Sequence, residues 1–177
     1  MNARETILHG DARIGNMMFP KSETEGRFVF IDWQAVRQGK GVYDLAYFLI
    51  LSLSTQFRIE KEKQCLDTYY NSLVAKGVSD YAKEELEDDY RYACLCVLVL
   101  LSLPLLSGEA SAEGVGAKNF VWGMNVWRER MEAKFTDFDY KWMADHYEMT
   151  EQQGREAVNE MLNVITQRLK RIEASAA

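Results

Sequence analysis

Proline is scarce, with two in 177 residues, and neither repeats nor low-complexity stretches interrupt the chain, so nothing marks an internal linker. Cysteine is scarce as well. Cys65, Cys94 and Cys96 are odd in number, and Cys94-Leu95-Cys96 is too tight for a zinc knuckle or redox pair, which leaves reduced, buried thiols of a cytoplasmic protein. A basic excess is missing: 21 Lys and Arg against 27 Asp and Glu give a net charge of -6, with the cations dispersed. Binding nucleic acid needs a basic face, so it is excluded as a partner. Long apolar runs are missing too. Residues 45–53 and 93–106 both fall short of the roughly 18 to 20 residues that cross a bilayer, Pro104 interrupts the second, and no apolar leader follows Met1. Both runs read as buried core helices, and no membrane partner is expected.

What is present suits a folded domain. With 47% apolar and 27% charged residues the chain can bury one core, so a single domain over 1–177 is expected, its segment 1–40 differing in pattern from a helical body over 41–177. Met17-Met18-Phe19 and Arg27-Phe28-Val29-Phe30-Ile31 favour strands, and the polar turn at 21–26 between them predicts a small hairpin. From Val42 the spacing lengthens to helical, with helices expected near 43–55, 59–76, 81–106, 113–134, 137–147 and 151–173. In the last, Val158, Met161, Leu162, Ile165, Leu169 and Ile172 form one apolar stripe. The fold class is therefore mainly α with a small β-hairpin. Trp33, Trp122, Trp127 and Trp142 read as core rather than as an aromatic box for a cation. Glu84, Glu85, Glu87, Asp88, Asp89, Asp137 and Asp139 read as solvated helix faces rather than as a pocket for a cationic substrate.

The stretch that carries chemistry is Leu8-His9-Gly10-Asp11-Ala12-Arg13-Ile14-Gly15-Asn16-Met17-Met18-Phe19, followed by Phe30-Ile31-Asp32-Trp33-Gln34. Asp11 and Asn16, with four residues between them, can turn into one cleft across a tight loop, and a hairpin would return Asp32 to the same end. Phosphoryl transfer needs such a set: a carboxylate to hold the attacking hydroxyl, and oxygen ligands to hold a divalent cation against phosphates. Asp11 fits the first role, Asn16 and Asp32 the second, because magnesium prefers carboxylate and amide oxygens. The mostly apolar run Phe28-Val29-Phe30-Ile31 is expected to anchor Asp32 on a buried strand and so preorganise the site.

His9-Gly10-Asp11, four residues, Asn16, then Ile31-Asp32-Trp33 and Asp44-Leu45-Ala46 opening a helix resemble the aminoglycoside phosphotransferase and choline kinase group. Asp32-Trp33-Gln34 and Tyr43-Asp44-Leu45-Ala46-Tyr47-Phe48 are most similar to its ecdysteroid-kinase-like and bacterial phosphotransferase branches. The resemblance covers residues 6–54 by motif and the rest by helical character. It implies a protein-kinase-like C-terminal lobe in which Asp11 would be the catalytic base or hydroxyl-orienting carboxylate, and Asn16 and Asp32 would ligate Mg2+ bridging the phosphates of ATP. His9 would support the loop. Asp44 would accept hydrogen bonds from the loop backbone or act as a simple helix N-cap, and Arg13 would contact phosphate or an acidic substrate or lie solvated at the surface.

Protein kinases carry H-R-D in this loop and a long activation segment. Here Gly10 stands in the Arg position and only 11 residues separate Asp32 from Asp44, so a small hydroxyl-bearing substrate is expected rather than a peptide. A complete kinase also needs a Gly-rich cover and a strand lysine over the phosphates, and neither fits into the eight residues before His9. Residues 114–118, Gly-Val-Gly-Ala-Lys, lack the spacing of a phosphate loop and read as a flexible connector between helices. The expectation is a C-terminal lobe lacking the N-terminal ATP-binding lobe. Its expected partners are a small-molecule alcohol and either the missing lobe or a second copy, the alternatives being a noncatalytic interaction module or an inactive kinase-like fragment.

Overall fold

A computed structural model describes residues 5–22, 26–106 and 115–175, side chains excepted at 101, 104–106, 115–121 and 175. The chain divides into two compact units, Met1–Leu95 and Cys96–Ala177, the division falling inside a helix.

The first unit opens with two small antiparallel pairs. Strand β1 (Thr6–Leu8) pairs with β4 (Arg37–Gly39), Thr6 opposite Gly39, and β2 (Met17–Met18) pairs with β3 (Val29–Phe30), Met17 opposite Phe30. The β2–β3 pair is the expected hairpin in shortened form, whereas β1–β4 joins segments that the sequence pattern left unpaired. The polar turn between β2 and β3 lies partly outside the described residues. One expectation is overturned here: β3 and its flanks are not buried, since Phe28, Val29 and Ile31 are 47%, 45% and 41% exposed. Among the described residues β3 pairs with β2 alone, and so short a strand paired on one side was not buried by its apolar composition.

Helix α1 (Val42–Ser52) supplies the core, with Val42, Ala46, Leu49 and Ile50 at 1% exposure or less. Apolar nearly all round, it can only be an interior helix. Ser54 then caps α2 (Thr55–Ala75) by accepting from Phe57 N at 3.4 Å. Arg58 of α2 is buried, which its ion pair with Glu62 at 2.6 Å makes tolerable. Gly77 ends the helix at φ 90, and the Val78 N–H returns to Leu73 O, a left-handed stop that favours glycine. Helix α3 (Lys83–Leu106) contributes Leu86, Tyr90, Ala93 and Cys94 to this unit's core.

The second unit holds α4 (Val115–Thr136), α5 (Tyr140–His146) and α6 (Glu151–Ser175), with α6 packed on α4 and α5. Val158, Leu162, Ile165 and Leu169 of the expected stripe are buried, and Asp139 caps α5 by accepting from Trp142 N at 3.0 Å. Three further expectations are corrected. Residues 115–118, expected as a connector, already belong to α4, while Gly114 lies outside the described residues. The run 93–106 is core only in part, because Val99 and Leu103 are 44% and 52% exposed. Of the tryptophans, Trp142 is buried against Phe138 and His146, but Trp33 and Trp122 are exposed. None of the three cysteines is in a disulfide, and among the described residues no helix is long and apolar enough to cross a membrane.

Leu49→Ala empties a site of 0% exposure in α1 and should cost about 2–5 kcal/mol in chemical denaturation. A loss under about 1 kcal/mol would show that α1 is not the core of its unit.

Candidate functional site

The loop between β1 and β2 is held from below by α1. Both carboxylate oxygens of Asp44 are used: Oδ2 accepts the His9 N–H at 2.7 Å and Oδ1 the Gly10 N–H at 2.9 Å. Asp44 lies in the first turn of α1, and the N-cap position belongs to Gly41, so its carboxylate serves the loop rather than its own helix end. Farther along α1, Ser52 Oγ accepts the Ile14 N–H at 2.9 Å. Gly10 has φ 82, and a Cβ there would collide with Ala35 O, so both the left-handed backbone and the close approach require glycine.

His9 is 3% exposed and joins the loop to the strand leading to Asp32. Its Nε2 meets Ile31 O at 2.9 Å, while Nδ1 accepts the Asp11 N–H at 3.3 Å. A neutral ring protonated on Nε2 satisfies both bonds at once. The ring also lies 5.2 Å from Phe30 and 4.6 Å from Trp33 between centroids.

Asn16, also 3% exposed, donates through Nδ2 to Asp11 O at 2.9 Å and to Asp11 Oδ2 at 2.8 Å. Two acceptors at one end fix the orientation of the amide, which leaves the carbonyl oxygen at the opposite end. The Asn16 main-chain oxygen accepts the Ile31 N–H at 3.0 Å. Ile31 is therefore tied by its N–H to Asn16 and by its carbonyl to His9, and Asp32 is the next residue. Asp32 adopts φ 66 and ψ 59, and it has the one positive φ outside glycine among the described residues. Aspartate tolerates that region where a β-branched residue would not, and the turn swings the chain sharply at the end of β3.

The two oxygens of Asp11 differ. Oδ2 takes the Asn16 amide, whereas Oδ1 is buried without a hydrogen bond of good geometry. Arg13 Nε stands 3.3 Å from each oxygen, in hydrogen-bonding line with Oδ2. Tyr47, 6% exposed on α1, also reaches this carboxylate. Burial foremost, then the charge of Asp11 and a loose hydrogen bond to it, push the Tyr47 phenol well above its ordinary range. Tyr47 was not among the candidate residues, although its place three residues after Asp44 on one helix puts both within reach of the same loop.

The structure thus brings His9, Asp11, Arg13, Asn16 and Asp44 into one connected set and places Asp32 directly after the residue tied to both His9 and Asn16. As for a metal, an amide oxygen and an exposed carboxylate are hard donors of the kind magnesium takes alongside substrate phosphates. Among the described residues no group of three or more His, Cys, Asp or Glu could hold a metal ion unaided.

Residues 2–78 match the ecdysteroid kinase-like family, within the kinase-like phosphotransferases. That span contains every residue of the site and ends just past the Gly77 stop of α2. No curated protein and no solved structure matches the chain.

Asp44→Asn replaces one of two acceptors by an NH2 group facing a backbone N–H. It should destabilise the first unit by about 1–3 kcal/mol and accelerate hydrogen exchange at the His9 and Gly10 amides. Unchanged protection at both amides would refute the clamp.

Proposed function

We propose that this ecdysteroid kinase-like segment belongs to an ATP-dependent phosphotransferase acting on the hydroxyl of a small molecule, with Asp11 as the residue that receives the acceptor alcohol. One observation carries the reading: Asp11 Oδ1 is buried and lacks a hydrogen bond, with only the half-exposed Arg13 Nε 3.3 Å away, while Oδ2 is held by Asn16. A fixed carboxylate with one open oxygen is what a hydroxyl nucleophile needs.

In this reading the acceptor O–H donates to Asp11 Oδ1. As the alcohol oxygen forms its bond to the γ-phosphorus, the bond from that phosphorus to the bridging oxygen breaks. The electron pair stays on the departing ADP, and the hydroxyl proton passes to Asp11. Asn16 Oδ1 and the Asp32 carboxylate are the groups that would hold Mg2+, which when bound neutralises phosphate charge. Arg13 is a candidate phosphate contact, and His9 and Asp44 keep the loop in place. The segment between Asp32 and Asp44 supports a small acceptor, because its residues are already used by the turn at Trp33–Ala35, by β4 and by the start of α1. Three cysteines outside any disulfide suit a reducing, cytoplasmic location.

The test is transfer from Mg-ATP to a panel of small alcohols, run on the chain alone and joined to a glycine-rich nucleotide-covering lobe. Asp11→Asn should lower turnover roughly 10²- to 10⁴-fold with little change in nucleotide affinity. Asn16→Ala and Asp32→Asn should weaken Mn2+ binding in the presence of nucleotide by roughly tenfold or more, read by electron paramagnetic resonance. An Asp11→Asn protein as active as its parent would end this reading.

A second reading has its own observation. Met18, Phe19, Phe28, Val29 and Ile31 leave the β2–β3 hairpin unusually apolar on its exposed surface, as at protein–protein contacts. A noncatalytic interaction module would associate through it, and light scattering that stays monomeric across concentration would count against that alternative.

A further inference from the structure

We propose that Arg13 is a latch on Asp11 that phosphate releases, so that one guanidinium first covers the acceptor-binding carboxylate and then serves the phosphoryl group. The proposal rests on the phosphotransferase reading above and adds an order of events to it.

Three side chains reach the Asp11 carboxylate, and they are not equivalent. Asn16 is 3% exposed and tied to Asp11 by a second bond to its main-chain oxygen, and Tyr47 is 6% exposed on the interior helix α1. Neither can leave without disturbing the core. Arg13 has a side chain 40% exposed, and its Nε lies 3.3 Å from both oxygens, Oδ1 included. It is the one donor of the three that is both charged and free to swing.

Gly15 shows how the latch is seated. A Cβ at that position would lie 2.7 Å from Arg13 Nη1, and Gly15 is not among the glycines with positive φ. Its missing side chain thus makes room for the guanidinium lying across the loop, where no unusual backbone angle calls for glycine. Moving the tip of a long side chain is cheap, so an alanine here displaces Arg13 and leaves the backbone alone.

The driving force for release is chemical. A triphosphate offers more negative charge than one carboxylate and a better match to the planar fork of donors. An ion pair this exposed contributes little, so it shifts binding by about two- to fivefold, enough to order events without blocking them. Nucleotide would bind first and draw the guanidinium away, and Oδ1 would then be open to the alcohol.

The experiment is calorimetry with Mg-tripolyphosphate and with Mg-ATP, together with the Nε–H resonance of Arg13, assigned by its loss in Arg13→Gln. Gly15→Ala should bind both ligands about two- to fivefold more tightly, because the latch no longer competes, and Arg13→Gln should bind them more weakly. The double variant should behave like Arg13→Gln. The Nε–H resonance should move in Asp11→Asn and on adding Mg-tripolyphosphate to the parent. Gly15→Ala with parental or weaker affinity would overturn the latch, as would a resonance indifferent to Asp11→Asn. A protein that transfers no phosphate yet shows the opposed effects of Gly15→Ala and Arg13→Gln on Mg-tripolyphosphate would overturn the phosphotransferase reading and still support the phosphate-released contact.

Discussion

The two hydrogen bonds from the His9 and Gly10 amides to the carboxylate of Asp44 are the constraint on which the rest of the site depends. Gly10 is in the left-handed region and its neighbour His9 is buried, so this backbone could not satisfy its N–H groups through a strand or helix. Buried amides without acceptors are costly, and a charged acceptor from a rigid interior helix is a strong way to supply them. The bidentate contact also transfers the rigidity of α1 to a loop that has no regular structure of its own.

From that anchor the remaining geometry follows in steps. Fixing His9 fixes the ring that bonds Ile31 O. Fixing Gly10 fixes where Asp11 leaves the loop, and Asn16 then closes the turn by holding both the main chain and the side chain of Asp11. Each step uses a neutral or oppositely charged partner, so the carboxylate is oriented by contacts that do not repel it. Arg13, its side chain 40% exposed, stands apart from this frame, whereas Asn16 is buried within it.

Much of the fold was legible in the sequence for simple reasons. Helical periodicity placed α6 well, because a stripe from Val158 to Leu169 has one face to bury and one partner surface to bury it on. The β2–β3 hairpin was legible from two β-favouring runs around a polar turn. The β1–β4 pair was not: Thr6–Leu8 and Arg37–Gly39 are short, of mixed polarity and far apart in sequence, so no local pattern announces their pairing. The exposure of β3 was missed because composition reports what a strand could bury, not whether a second layer exists to bury it. In the site, the spacing of His9, Asp11 and Asn16 was enough to suggest that they share a loop. The contacts of Tyr47 and Ser52 depend on how α1 lies beneath that loop, which a one-dimensional pattern does not contain.

The polar groups of this site are few and closely linked, with Asp11 Oδ1 the atom left without a hydrogen bond, and that linkage makes the arrangement cooperative. His9 and Asn16 are each 3% exposed, so substituting a partner of either would leave their own polar atoms out of reach of water. An unsatisfied buried donor or acceptor costs about 1–3 kcal/mol, comparable to the net worth of one or two hydrogen bonds, so losing one contact undermines its neighbours. Intermediate geometries, with Asp11 partly oriented or Ile31 tied on one side only, are therefore less favourable than either the complete network or a locally melted loop. Every tie named here joins residues between His9 and Ser52, so the geometry is a property of the first unit and is set by α1, whatever binds over the exposed hairpin.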